Sequence, residues 1–159
     1  MSTLLSEFVQ PITTAVIPAT DGRKCIGEAR GVFCHIDPHF ENWGLNVTSK
    51  AHPKQQVCTG QLVKDGRFDQ FFSSLIEGKE IDRLCLTQSQ IVSFCRKHKQ
   101  LLNQDDLATF FLFKNKEEYF VADVDVWLTG LAIYVYPFSY EYVWNGVLGH
   151  RVVVPQLED

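Results

Sequence analysis

Asp123 and Asp125 are separated by one residue in the run Tyr119-Phe-Val-Ala-Asp-Val-Asp-Val-Trp127. On a strand that spacing puts both carboxylates on one face, roughly 7 Å apart. Paired carboxylates can exchange protons with a ligand or hold a hard cation. They can also simply accept hydrogen bonds from Tyr134, Tyr136 or Arg151, or face water. Cys95 and His98 sit at i and i+3, neighbours on one helix face. A histidine beside a cysteine can generate a thiolate nucleophile. The competing reading is a core cysteine with a histidine at the favourable pole of the helix dipole. Cys34, His35 and His39 form a third group, with Asp37 among them and His52 and Cys58 further on. Zinc takes such donors, but structural sites usually show two paired knuckles and here there is one loose cluster. A fourth group is aromatic: Trp127, Tyr134, Tyr136, Tyr140, Tyr142 and Trp144. Tyr and Trp are enriched where proteins meet, because they bury large areas at small entropic cost.

The elements that carry these residues follow from periodicity. Residues 107 to 136 contain three β-branched and aromatic runs separated by Asn115-Lys-Glu-Glu and Leu128-Thr-Gly, the pattern of an antiparallel meander. A tip at Lys116-Glu117 sets Phe113 against Phe120, Leu112 against Val121 and Phe111 against Ala122. A tip at Thr129-Gly130 sets Val126 against Ile133, Val124 against Val135, Asp125 against Tyr134 and Asp123 against Tyr136. One face then holds Phe111, Phe113, Phe120, Ala122, Val124, Val126, Ile133 and Val135, and must be core. The other holds Phe110, Leu112, Val121, Trp127, Tyr134, Tyr136 and the two aspartates. It is too apolar for a solvated face, so more of this chain or a partner must cover part of it.

Upstream, Ser2 to Val9 reads as one or two helical turns stopped by Pro11. Residues 13–17 and 24–34 read as a hairpin about Asp21-Gly22. Residues 37 to 55 form the longest irregular stretch, and residues 56–63 a further strand. Asp65 opens a helix whose Phe68, Phe71, Phe72, Leu75 and Ile76 make one apolar stripe, ended by Gly78. Thr87 and Gln90 form a capping box that starts a second helix, with Ile91, Phe94, Cys95 and His98 on one face. After the meander, Asn145-Gly146 reads as a turn pair before a last strand at 152–154, ended by Pro155. The expected fold is α+β: an antiparallel sheet of five to seven strands with two central helices packed on one face, in one domain spanning 1–159.

Several stretches together resemble a family of small bacterial proteins of unknown function. They are Phe40-Glu-Asn-Trp-Gly-Leu45, Leu86-Thr-Gln-Ser-Gln90, Ala108-Thr-Phe-Phe-Leu-Phe-Lys114, Val135-Tyr-Pro-Phe-Ser139 with Val143-Trp144, and His150-Arg-Val-Val-Val-Pro-Gln156. The resemblance covers residues 36 to 156. It implies a recurring stand-alone domain and carries no activity, substrate or site.

Composition narrows the function classes. The 159 residues carry a net charge of −4, with 15 basic and 19 acidic side chains. That balance is not the footprint of a phosphate-backbone binder. The basic run Arg96-Lys-His-Lys99 reads as a solvated helix end. No run of 18 apolar residues exists, so neither a membrane span nor membrane binding is expected. The first residues lack the features of a secretory signal. Five unpaired-looking cysteines without a CxxC motif fit a reducing compartment, hence the cytoplasm. No P-loop, GxGxxG, HExxH, GxSxG or EF-hand pattern occurs, and no cofactor or metal is expected. The leading expectation is a non-enzymatic module that binds another protein, or a second copy of itself, through Trp127, Tyr134, Tyr136, Asp123 and Asp125. The alternative is a small hydrolase or thiol enzyme using Cys95 with His98, or a cluster around His35 and His39.

Overall fold

The computed structural model describes residues 6 to 157, apart from 77, 79 and 106. Seven strands are β1 (Val9–Ile17), β2 (Phe33–Ile36), β3 (Gln55–Leu62), β4 (Thr109–Asn115), β5 (Glu118–Trp127), β6 (Gly130–Pro137) and β7 (Arg151–Pro155). Three α-helices are α1 (His39–Asn42), α2 (Phe68–Ser73) and α3 (Gln88–Lys97). The strands form one sheet in the order β1-β3-β7-β4-β5-β6-β2. The α+β class and the strand number agree with expectation. The sheet is mixed, however, and not purely antiparallel: β2 runs parallel to β6, and β4 parallel to β7.

The helices also depart from the expected layering. The stripe Phe68, Phe71 and Phe72 of α2 packs with Phe110, Leu112 and Val121 on one side of the sheet. Ile91, Phe94 and Cys95 of α3 pack with Phe111, Phe113, Ala122 and Ile133 on the other. Two central helices on one face are therefore replaced by one helix on each face, with the short α1 as a third. The reason lies in β4, where Thr109 to Phe113 are all buried. A central strand that is apolar in both directions needs cover on both sides.

The first hairpin has the expected register, with Phe113 opposite Phe120 and Phe111 opposite Ala122. Its tip uses Lys116 in the left-handed region, φ 57°. The second hairpin is displaced by two residues. Val126 faces Leu131, Val124 faces Ile133, Asp125 faces Ala132 and Asp123 faces Tyr134. The tip is Leu128-Thr129, because Gly130 already belongs to β6 and pairs with Trp127. An even displacement leaves every side chain on its own face, so both expected faces survive.

Upstream, β3 rather than residues 24–34 is the partner of β1. Val9 and Pro11 are part of β1, with a register irregularity between Pro11 and Thr13 that accommodates the missing amide. Of the helical turns expected at Ser2 to Val9, residues 1 to 5 lie outside the described residues. Phe33–Ile36 adds to the far edge of the sheet instead. The capping box at Thr87 and Gln90 is present in both directions, Gln90 N–H to Thr87 Oγ1 at 3.1 Å and Thr87 N–H to Gln90 Oε1 at 2.8 Å. Asp65 caps no helix. α2 starts after Arg67, and Asp65 accepts the Gly146 amide at 2.8 Å. Asn145-Gly146 is accordingly not a hairpin tip: Trp144 bridges to Gly66, and β7 pairs with β3 and β4.

Candidate functional site

Strand alternation puts Val121, Asp123 and Asp125 of β5 on the α2 side of the sheet, beside Tyr134 and Tyr136 of β6. Asp123 is flanked across the ladders by Phe110 and Tyr134. It is only 4 % exposed, and its Oδ1 has no hydrogen-bond partner among the described residues. Burial, then a hydrogen bond and the charge of Asp125, push the Asp123 carboxyl well above the ordinary carboxylate range. Two carboxyl groups so placed cannot both ionise cheaply. The Tyr136 hydroxyl is pushed upward as well, by burial first and then by Asp123.

Aromatic rings surround the acids in two groups. His35 lies 5.4 Å from Trp127 and 5.3 Å from Tyr134, centroid to centroid. This group faces outward, with Trp127 38 % exposed. The second group is a file of rings: Tyr136 to Tyr140 at 5.0 Å, Tyr140 to Tyr142 at 6.1 Å, and Tyr142 to Trp144 at 4.7 Å. Trp144 then reaches Phe110 at 4.8 Å and His150 at 5.4 Å. Trp144 is held in place by paired backbone bonds with Gly66, at 2.8 and 3.1 Å. Gly146 passes so close to Lys64 that a Cβ there would lie 2.3 Å from the Lys64 amide nitrogen. The α2 side of the sheet is thus closed by this chain over β4, through Phe68, Phe71 and Trp144. It is open over β6 and β2, at Trp127, Tyr134 and His35.

The other sequence candidates lie elsewhere. Cys95 is fully buried in the α3 core, and burial drives its thiol upward, away from the thiolate. The His98 ring contacts the Val16 carbonyl through Nε2 at 2.9 Å and lies against Phe94. That geometry serves packing rather than nucleophilic attack. Cys34 is exposed at the β2 irregularity, near Thr129 Oγ1. His39 stacks on Trp43 at 4.3 Å and pairs with Asp37 at 3.0 Å. Asp37 also accepts the Val135 amide, which ties α1 to β6. Cys34, His35 and His39 therefore turn to three different neighbourhoods. Among the described residues no three His, Cys, Asp or Glu side chains gather as a metal ion would need. His52 is engaged by Gln90 at 3.1 Å, and Cys58 is buried on the α2 side.

Three contributors to the aromatic site were not singled out as its members from sequence: His35, Phe68 and His150. Phe68 was visible as part of an amphipathic stripe. His35 arrives through parallel pairing of β2 with β6, which leaves no local sequence mark. His150 is 6 % exposed and accepts the Ala108 amide on Nδ1 at 3.1 Å, and burial lowers its proton affinity. No family model, curated protein or solved structure matches the chain.

Proposed function

We propose that this protein is a non-enzymatic interaction module that binds another protein through the open end of its aromatic sheet face. The observation that carries the reading is the half-exposed group of Trp127, Tyr134 and His35 beside the acidic pair Asp123 and Asp125. Rings with negative faces next to an acidic side chain favour a cationic side chain, and arginine gains most because its plane stacks while its edge donates. The complementary partner therefore presents an arginine or lysine from an otherwise apolar patch. The net charge of −4 favours encounter with such a surface. Central aromatic anchors of this kind dominate binding energy where they occur.

The same reading assigns the protein to the cytoplasm, supported by five free thiols. No helix among the described residues is long and apolar enough to cross a membrane. The likeness of residues 36 to 156 to small bacterial proteins belongs to this proposal and adds no activity to it.

The test compares proteins captured from the native host by the wild type, Trp127→Ala, Asp125→Asn and Lys116→Gln. The expected result is a species held by the wild type and Lys116→Gln and lost by the other two. Its purified form should bind Trp127→Ala more weakly by about 2 kcal/mol or more. Identical captured sets for all four proteins would end the proposal. Sedimentation that shows self-association abolished by Trp127→Ala would identify the partner as a second copy of the chain.

A further inference from the structure

On the opposite side of the sheet a cavity of about 340 Å³ opens between the segment 18–24 and α3. Its α3 wall is Ser89, Val92, Ser93, Arg96 and Lys97. These positions follow i, i+3, i+4, i+7 and i+8, so they form one continuous helix face. Its other wall is Pro18, Ala19, Thr20, Asp21 and Lys24. The two walls are fixed to each other. Ser89 Oγ donates to the Lys24 carbonyl at 2.8 Å and accepts the Lys24 amide at 3.0 Å. Gln88 Oε1 accepts the Ile26 amide at 3.0 Å from the same helical turn.

Three cations from two elements thus line one cavity, in a chain whose overall charge is negative. Among the described residues, none of Lys24, Arg96 and Lys97 has an ion-pair partner. The Thr20 hydroxyl, which lines the same cavity, is buried without a hydrogen-bond partner. A solvated helix end explains Arg96 and Lys97 alone. It does not explain why Lys24, from another segment, lines the same cavity. The cavity is of a size that holds small molecules, which need about 300 Å³ or more. Pro18 and Ala19 supply an exposed apolar wall, and the exposed Asp21 carboxylate supplies an acceptor.

The geometry points to a binding site for a small phosphate ester, with its phosphate among Lys24, Arg96 and Lys97 and its hydroxyl-bearing part against Asp21, Thr20 and Ser93. Lysine and arginine are the ordinary partners of such an anion, one as a point charge and the other as a planar fork. The carboxylate suits a sugar hydroxyl and opposes a second anionic group, which favours a monoester over a polyphosphate.

An NMR titration of the full chain, following backbone amides, tests this with ribose 5-phosphate, ribose and inorganic phosphate. The expected result is saturable shifts at residues 18–24 and 89–97 with ribose 5-phosphate, at a Kd of about 0.1–1 mM. Ribose should give none, and inorganic phosphate should bind more weakly. Arg96→Gln/Lys97→Gln and, separately, Ser93→Asp should weaken binding by about tenfold or more while the remaining amide signals keep their positions. No saturable shift by about 10 mM, or unchanged affinity in the double variant, would overturn the site. Equal affinity for inorganic phosphate, or an equal response to ribose, would overturn the ester assignment.

Discussion

Asp123 stands directly opposite Tyr134 in the β5–β6 ladder, with one buried carboxyl oxygen that has no partner among the described residues. A carboxyl in that position holds its proton far more firmly than it would in the unfolded chain, where it is released near pH 4, about the ordinary aspartate value. The folded state therefore binds the extra proton, and the stability this contributes is lost as pH rises from about 4 through the raised folded value. Asp123→Asn removes the titration. Its effect on melting temperature should become more favourable from pH 5 to pH 8. Melting curves at the two pH values with the same difference between variant and wild type would contradict this.

His150 acts in the opposite direction. Burial lowers its proton affinity, and its Nδ1 must stay unprotonated to accept the Ala108 amide. The unfolded chain takes up this proton near pH 6.5, about the ordinary histidine value. The stabilisation is thus complete above that value and is lost as pH falls through the lowered folded value. His150→Gln, which keeps an acceptor, should flatten the acid limb of the stability profile. His150→Leu leaves the buried Ala108 amide without a partner and should cost about 1–3 kcal/mol at neutral pH, read from urea unfolding.

Phe110 and Tyr134 are separated across β5 by the single position of Asp123, and truncating them should have very different consequences. Phe110 is fully buried under Phe68, Phe71 and Trp144. Phe110→Ala should destabilise the protein by about 3–5 kcal/mol. Tyr134 is half-buried in the open end of the same face, and Tyr134→Ala should cost under about 1.5 kcal/mol. A cost as large as that of Phe110 would make the open end part of the folding core.

The meander was readable because period-two alternation and a short turn are local facts. Phe113 opposite Phe120 follows from them without any knowledge of the rest of the molecule. The next hairpin lies two residues away from the register its Thr129-Gly130 pair suggests, because Gly130 takes φ 139° as the first residue of a strand, beside Cys34. The side of the sheet on which α2 packs was hidden for a different reason. A stripe such as Phe68, Phe71 and Phe72 reports that a face needs cover, not which sheet face supplies it. Parallel pairing of β2 with β6 joins residues about a hundred apart with no turn between them. His35 could not be brought to Trp127 and Tyr134 without that pairing, so the candidate site was seen in part: its acids and its β5 and β6 rings, but not its β2 member.

The five thiols should separate cleanly by reactivity. Cys34 is exposed, whereas Cys25, Cys58 and Cys95 are buried. Cys85 is partly buried, its thiol pushed up to about 12 by burial and by Asp82. Alkylation of the native protein at pH 8 should modify Cys34 first, since the thiolate is the reacting species and access limits the rest. Mass-mapped peptides showing Cys95 modified as quickly as Cys34, without denaturant, would restore a reactive role to Cys95 and His98.

β7 is the last of the described strands along the chain, yet it lies third in the sheet, bonded to β3 on one side and β4 on the other. Without it, β1 with β3 and β4 with β5, β6 and β2 are two ladders with no strand pairing between them. A chain emerging from its N-terminus can assemble each ladder but not join them until residues 151–155 are available. Until then the inner edges of β3 and β4 present open backbone groups, the arrangement that invites pairing with other chains. Joining distant segments so late also makes folding slow, because loop closure must precede the contacts that reward it. Synthesis of this protein thus supplies both outer edge strands, β1 and β2, before the strand at its seam, and its most vulnerable interval is the time before that seam closes.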